Sequence, residues 1–308
     1  MIVKIILITR LLFNESECIK LMKTYKVWLL SSLTILFWAT AFPISKIVVA
    51  SLDPLYGAEL RLTVAAITLG IIGLFQKVRF PGNKKDIGLF ILAGLTGNFL
   101  YQMFFITALG TISSGTSSVI NALIPVITAV MSAVFFKERL STSGWIYIFT
   151  AFIGVAILVL WEGIFSIKVG VFWMLLCTIA FSIYNLSSRY LAQAGYDAFS
   201  LVLWGMVISA ICGSFLLPGA IAAVIDLPIN ISLLVIYLGV FSSAIGYMLW
   251  GTALKQAEKA SDVVNFMFVT PALSTLLGFF WLHEVPNFGF YIGGTIIIGS
   301  VILFSKYR

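Results

Sequence analysis

Residues 87–136 read IGLFILAGLTGNFLYQMFFITALGTISSGTSSVINALIPVITAVMSAVFF and contain no charged side chain. A helix that crosses a bilayer needs only about 20 consecutive apolar residues, so this run is too long for a single span. The turn-forming segment GTISSG at residues 110–115 divides the run near its middle. The stretch therefore predicts two consecutive membrane-spanning helices joined by a short, uncharged turn.

The rest of the chain has the same character. Of its 308 residues, 61% are hydrophobic and 10% are charged, whereas soluble domains carry about 25% charged residues. Apolar runs between charges predict ten spans in total, namely two in residues 87–136 and one each in 27–45, 56–75, 140–161, 169–188, 198–225, 227–254, 263–282 and 285–305. We therefore expect an all-α polytopic membrane protein of ten transmembrane helices, with no soluble domain.

The basic residues predict the orientation, because short cytoplasmic loops are enriched in Lys and Arg. With the N-terminus inside, all but three of the 19 basic residues face the cytoplasm, the exceptions being Lys46, Lys168 and Arg61 within a span. The predicted protein is a multi-pass protein of the cell (inner or plasma) membrane with both termini cytoplasmic. The net charge of +7 is explained by these loops and does not indicate nucleic-acid binding.

The two halves of the chain share sequence features in the same order. Thr-Ala-Leu ends the third span at residues 107–109 and the eighth at 252–254, and an aspartate precedes the second and seventh spans. Pro125 precedes Glu138 by 13 residues, and Pro271 precedes Glu284 by the same 13. We expect each glutamate, at a span end, to cap or anchor a neighbouring helix.

Corresponding loops of the two copies differ in their number of basic residues. Four basic residues lie between spans two and three and none between spans seven and eight, whereas the uncharged 110–115 turn corresponds to a loop with Lys255 and Lys259. A five-helix unit repeated head to tail inserts its second copy upside down, and these charges are what that inversion requires. We predict two inverted five-helix repeats at 27–161 and 169–305, preceded by a cytoplasmic segment at 1–26. Within that segment, Met22 resembles a more natural first residue for a membrane protein.

The chain resembles the drug/metabolite transporter superfamily, in particular its ten-helix EamA type. The stretch WATAFPISK at residues 38–46 is similar to that family's Trp-Gly-x-x-Phe-x-x-x-Lys motif. Pro125 followed by KERLS at 137–141 and Gly144 is similar to a second motif, and Pro271, Glu284 and Gly289 repeat part of it. The resemblance covers about residues 26–305.

The resemblance implies two five-helix repeats around a central cavity and transport of a small organic solute. Many family members export amino acids or related metabolites, and others carry nucleotide sugars or cofactors. The sequence contains no Walker-type phosphate loop, so ATP cannot drive it directly, which leaves a secondary carrier, facilitator or channel. Together with the resemblance, this predicts a secondary transporter working by alternating access, most readily an exporter of amino acids or related compounds. A passive facilitator or channel is the alternative. No HExxH or GxSxG motif is present, and we expect no enzymatic activity.

Candidate site residues are the polar and charged groups inside spans, because burying a charge there costs at least about 2.5 kcal/mol. Arg61 is a candidate receptor for a substrate carboxylate and Glu59 a proton or amine site; snorkelling of both to the membrane surface is the alternative. The remaining substrate-binding candidates are Trp38, Asn98, Tyr101, Gln102, Asn121, Tyr184, Asn185, Ser243, Tyr247 and Asn265. Pro125 and Pro271 are each expected to remove a hydrogen bond from a helix and to kink it, which makes them candidate gating hinges. Prolines of ordinary membrane helices, without a gating role, are the alternative.

The sequence predicts few partners. The expected partners are a small-molecule substrate and the lipid bilayer, with the chain acting as a monomer or homodimer. The cysteines, Cys18, Cys177 and Cys212, have no paired or metal-binding spacing. We therefore expect no disulfide framework, no metal and no cofactor.

Overall fold

The computed structural model describes residues 15–137, 140–162, 165–257, 263 and 265–307. Regular structure in these residues is entirely helical. The helices are α1 (Glu15–Val49), α2 (Pro54–Gly73), α3 (Lys84–Leu109), α4 (Ser114–Asn121), α5 (Ile124–Phe136), α6 (Thr142–Glu162), α7 (Phe165–Gln193), α8 (Ala198–Gly213), α9 (Leu217–Ile225), α10 (Ile229–Gln256), α11 (Thr270–Leu282) and α12 (Phe288–Tyr307).

These helices make up the ten predicted spans. Eight apolar segments are long enough to cross a bilayer, and the shorter apolar helices Thr142–Leu158 and Phe266–Leu282 complete the set. Helices α4 and α5 together form the fourth span, and α8 and α9 form the seventh. Helix α1 begins before Met22, inside the segment predicted to precede the first span, because residues 15–26 contain no Gly or Pro to interrupt it.

The two copies begin and end corresponding helices in the same way. Asp53 accepts a hydrogen bond from the Leu55 amide at the start of α2, and Asp197 accepts one from the Ser200 amide at the start of α8. Such caps satisfy backbone donors that a helix leaves unpaired at its N-terminus. The shared aspartates therefore mark equivalent helix starts.

Helices α5 and α11 also correspond at both ends. Pro125 and Pro271 each lie in the first turn of their helix, where the missing amide removes no hydrogen bond. Lys137 and His283 then end the helices in the left-handed conformation, both with φ 55°. The expectation that the prolines take a hydrogen bond out of a continuous helix is wrong, because each proline stands in the first turn of a new α-helical segment.

The copies interlock. Helix α1 of the first copy packs against α10 and α11 of the second, and α7 of the second packs against α3, α4 and α5 of the first. The pairs α2–α8 and α6–α12 join equivalent helices. This exchange of partners is the packing of an inverted repeat about an axis in the membrane plane.

Glycines bring α6 and α12 into close contact. A Cβ on Gly154 would lie 2.8 Å from the Gly293 carbonyl oxygen, and one on Gly293 would lie 2.6 Å from that of Gly154. Small residues permit such backbone approach in membranes. Gly293 and its GxxxG partner Gly289, which lies against Trp161, therefore serve helix packing within this chain.

In the described residues, each copy also contains a π-helical segment at a corresponding position. These are Leu95–Leu100 in α3 and Leu238–Ile245 in α10. A Cβ on Gly94 would lie 3.0 Å from the Gly205 carbonyl oxygen, and a Cβ on Gly239 would lie 3.0 Å from that of Arg61. Gly205 in α8 is thus the structural counterpart of Arg61 in α2.

Candidate functional site

Two neighbouring cavities lie between the copies. The first, which we call the inner cavity, has a volume of about 50 Å³. It is lined by Trp38, Ala41, Phe42, Arg61, Tyr101, Phe105, Ser118, Asn121, Ala122, Ile124, Pro125, Phe181, Tyr247, Met267, Phe268 and Thr270. Helices from both copies therefore contribute to its wall.

The second cavity, which we call the vestibule, is larger, at about 690 Å³. Its described lining is Trp38, Phe181, Tyr184, Asn185, Ser188, Arg189, Ala192, Gly195, Tyr196, Asp197, Ala198, Leu201, Val202, Tyr247, Trp250, Gly251, Leu254 and Lys255. Trp38, Phe181 and Tyr247 line both cavities and form the wall between them. Arg189 and Lys255 place the vestibule at what we call the basic end of the bundle, where the basic loops lie.

The opposite end is crossed by an ion pair. Lys46 Nζ in α1 lies 2.6 Å from Glu284 Oε1 after α11, and it also donates to the Ile112 carbonyl over 3.1 Å. The Ser114 amide, which begins α4, donates to Glu284 Oε2 over 2.9 Å. Glu284 therefore caps and anchors a neighbouring helix as expected, and it joins the two copies; Glu138 lies outside the described residues.

Arg61 is buried in the wall of the inner cavity, with only 4% of its surface exposed. Its Nε donates to Ser243 Oγ over 2.7 Å, and its guanidinium carbon lies 5.9 Å from the centre of the Phe105 ring. Its Nη1 is buried without a hydrogen-bond partner. A buried guanidinium with a free donor has a strong energetic demand for an acceptor, preferably an anionic one.

The π-helical segment of α10 positions the partner of Arg61. A π-helix shifts the side chains that follow it relative to a regular helix, and such segments are frequent at functional sites. In the first copy, Asn98 of α3 holds the place of Ser243, and its amide nitrogen would lie 2.9 Å from a Cβ on Gly205. Of the two equivalent positions, only the one in α2 therefore carries a cation, which is Arg61.

Glu59 lies on another face of α2 and does not line either cavity. It is fully buried, and its Oε1 accepts from the Thr63 hydroxyl over 3.0 Å. Its Oε2 has no partner and faces Gly213, where a Cβ would lie only 1.7 Å away. The structure therefore separates Glu59 from Arg61, and a direct role of Glu59 at the substrate remains a prediction.

Aromatic rings surround the wall between the cavities. The Trp38 ring centre lies 5.4 Å from that of Tyr247 and 5.1 Å from that of Trp250, and Trp38 Nε1 donates to the Ser242 carbonyl. Tyr101 packs against Phe181 with ring centres 4.9 Å apart. The Trp38–Tyr247 pair is edge to face and the other two pairs are tilted, and together the rings leave the inner cavity mostly apolar.

The other predicted residues fall into four groups. Asn121 and Tyr101 line the inner cavity, joined by a hydrogen bond of 3.4 Å. Tyr184 and Asn185 line the vestibule. Asn98 and Gln102 are buried away from the lining of both cavities, and the Asn265 side chain lies outside the described residues.

Sequence reasoning missed several lining residues. Phe105, Phe268 and Thr270 gave no signal because apolar side chains and single hydroxyls are ordinary in membrane helices. Phe42 belongs to the motif at 38–46 but was not singled out as a binding residue. Phe181 could have been found, since it precedes Arg189 by the same eight residues that separate Trp38 from Lys46.

Charged groups in the vestibule are few among the described residues. Asp197 accepts from the Ser200 hydroxyl over 2.7 Å. Burial opposes ionisation of this carboxyl, but the hydrogen bonds from Ser200 and nearby backbone amides outweigh it and hold its pKa below the ordinary value. No group of three or more potential metal ligands is present in the described part of the chain.

Several curated proteins are similar over nearly the whole chain. An uncharacterized transporter named YdfC from Bacillus subtilis is 27% identical over 282 residues, covering 91% of this chain and 90% of its own. A probable terminal-alkyne amino-acid exporter from Streptantibioticus cattleyicolor is 28% identical, covering 91% and 93%. An uncharacterized transporter from Archaeoglobus fulgidus is 29% identical, covering 91% and 99%.

A solved structure has a similar fold. A protein of known crystal structure aligns with a TM-score of 0.60 at 19% identity, covering 90% of this chain and 95% of that one. The EamA-like transporter family matches the chain twice, at residues 26–160 and 168–306. The chain therefore belongs to the EamA-like transporter family of the drug/metabolite transporter superfamily and is a multi-pass membrane protein of a transporter family rather than of an enzyme family.

Proposed function

We propose that the protein is a secondary transporter that moves small organic carboxylates, amino acids or related compounds, out of the cell by alternating access. The observation that carries this proposal is the buried Arg61, whose Nη1 lacks a partner beside the inner cavity. A carboxylate would supply both the missing acceptor and the missing countercharge. The similar amino-acid exporter from Streptantibioticus cattleyicolor supports this substrate class.

Alternating access is supported by the unequal ends of the bundle. The vestibule widens at the basic end, while the pair Lys46–Glu284 ties the two copies together at the other end. The arrangement corresponds to a state open at one end and closed at the other. Interlocked inverted copies can exchange that state for the one open at the other end, with the helix starts at Pro125 and Pro271 as hinges.

A carrier of nucleotide sugars or nucleotide cofactors fits the site less well. Such substrates bring two or more phosphate charges, and Arg61 is the one charged side chain among the described residues that line the inner cavity. A passive channel would need a path open at both ends, which the ion pair and the small inner cavity do not provide in this state.

The membrane placement follows the basic loops. We infer that the basic end, with both chain termini, faces the cytoplasm of a cell membrane, because short cytoplasmic loops are rich in Lys and Arg. Since one chain contributes both copies and both cavities, a monomer suffices for transport. This orientation would present the vestibule to cytoplasmic substrate, as an exporter requires.

Counterflow in proteoliposomes tests the proposal. The full chain would be reconstituted, loaded with unlabelled leucine, phenylalanine or methionine, and given the same amino acid in labelled form outside. A carrier should accumulate label several-fold faster when the internal pool is present, because loaded carriers return faster than empty ones. An uptake rate that is the same with and without the internal pool, and that rises linearly with the external amino-acid concentration, would instead identify a channel.

A further inference from the structure

We propose that the site recognises its substrate as an anion with an apolar or aromatic body, and that the α-amino group of an amino acid is dispensable for binding. This inference rests on the proposed function and specifies the substrate class of that same site. It predicts that a carboxylate without an amino group binds at least as tightly as the amino acid of the same skeleton.

The first step is the charge of the inner cavity. Arg61 is buried, and its hydrogen bond to Ser243 leaves its positive charge uncompensated. Among the described residues that line the inner cavity there is no carboxylate. An entering anion neutralises a buried charge, whereas a zwitterion neutralises it and buries a new cation in its place.

The second step is where the acidic groups are held. Glu59 points to Thr63 and Gly213 on another face of its helix. Glu284 is bound by Lys46 and by the Ser114 amide at the opposite end. Neither carboxylate is placed to receive a substrate ammonium. Asp197 lines the vestibule but not the inner cavity, and it accepts from the Ser200 hydroxyl.

The third step concerns what an ammonium would find instead. Asn121 Oδ1 and Thr270 Oγ1 are buried without partners and are neutral acceptors. The aromatic rings of the wall would add a weak cation–π attraction. These contacts offset part of the cost of removing an ammonium from water. They do not make an amino acid bind more tightly than the carboxylate that lacks the amino group.

The last step concerns the substrate body. The inner cavity, at about 50 Å³, admits a group the size of a carboxylate rather than a whole solute. Trp38, Phe181 and Tyr247 also line the adjoining vestibule, so a substrate whose head reaches Arg61 lays its body across these rings. Apolar and aromatic bodies are the ones that such rings favour.

Competition binding to the purified full chain tests the ranking. The probe is radiolabelled phenylpropanoate at neutral pH, and the competitors are phenylpropanoate, phenylalanine and phenylethylamine, which share one skeleton and differ in charge. We expect phenylpropanoate to compete about tenfold more strongly than phenylalanine, and phenylethylamine to compete at least a hundredfold more weakly. Arg61→Gln should abolish binding of the probe, whereas Lys84→Gln, which removes an exposed charge at the basic end, should not.

Stronger competition by phenylalanine than by phenylpropanoate would overturn the inference and leave the proposed carboxylate site standing, provided that both depend on Arg61. Strong competition by phenylethylamine would also overturn it. Probe binding that survives Arg61→Gln, or counterflow of amino acids that does, would instead remove the proposed function itself. Equal competition by the anion and the zwitterion supports the inference, because the amino group then contributes nothing.

Discussion

Breaking the ion pair Lys46–Glu284 should open the end of the bundle that it closes. At an N···O separation of 2.6 Å, the Coulomb energy is about 6 kcal/mol at an effective dielectric constant of 20. The side chains are 30% and 14% exposed, so desolvation and solvent screening cancel much of this energy. Exposed pairs are worth about 0–1 kcal/mol and broken buried pairs cost about 3–5, which places this pair near 2 kcal/mol.

A loss of about 2 kcal/mol corresponds to a roughly 30-fold shift of the equilibrium toward the state open at that end. Labelling of Ala122→Cys, a position in the inner cavity, would report the shift. The background would lack Cys18, Cys177 and Cys212, and a membrane-impermeant thiol reagent would be added from outside the cell. Lys46→Gln and Glu284→Gln should each raise the labelling rate, up to about 30-fold.

The double variant distinguishes an ion pair from two separate effects. If the two side chains act as a unit, Lys46→Gln with Glu284→Gln should label about as fast as either single variant. Asp226→Asn, which removes an exposed charge at the same end, serves as the matched control and should label at the parent rate. Multiplicative single effects, or single variants that label like the control, would refute the closing role of the pair.

Ser243→Ala removes the hydroxyl that holds the Arg61 guanidinium in place, so substrate affinity in a binding assay should fall roughly tenfold, while Ser243→Thr retains more of it. Equal affinities would contradict the positioning role. Gly213→Ala should lower the melting temperature measured in detergent, since its Cβ would lie 1.7 Å from Glu59 Oε2. Gly293→Ala should do the same, by about 2–6 °C, because its Cβ would lie 2.6 Å from a backbone oxygen of α6. Gly299→Ala, which meets open space, is the control for both, and a glycine variant as stable as this control would count against the packing argument.

The fold was predictable from the sequence because hydrophobic length and loop charge are local properties. The uncharged run at 87–136 contains two spans, as predicted, and the matching Asp53 and Asp197 cap equivalent helices. The π-helical segments were not predictable, since they depend on how neighbouring helices pack. New helix starts at Pro125 and Pro271 stand in place of the expected kinks, because a proline in the first turn interrupts no helix hydrogen bond.

The site was predictable only where a residue was costly to bury. Arg61 stood out as a charge inside a span, and the structure places it beside a cavity. Glu59 stood out for the same reason but faces another helix, because two residues of helix turn rotate a side chain by about 200°. Phe105 and Phe268 carried no such signal, and only tertiary packing brings them to the cavity.

Counterflow through Arg61 variants is the measurement that tests the central claim most directly. Labelled phenylalanine would be exchanged against an internal pool in proteoliposomes containing wild type, Arg61→Lys or Arg61→Gln, each checked for folding by its melting temperature. Removing the charge that pairs with a buried carboxylate costs about 2–5 kcal/mol, so Arg61→Gln should lose at least 30-fold in exchange rate at limiting substrate, with Arg61→Lys intermediate. A folded Arg61→Gln protein that exchanges at the wild-type rate would contradict the account.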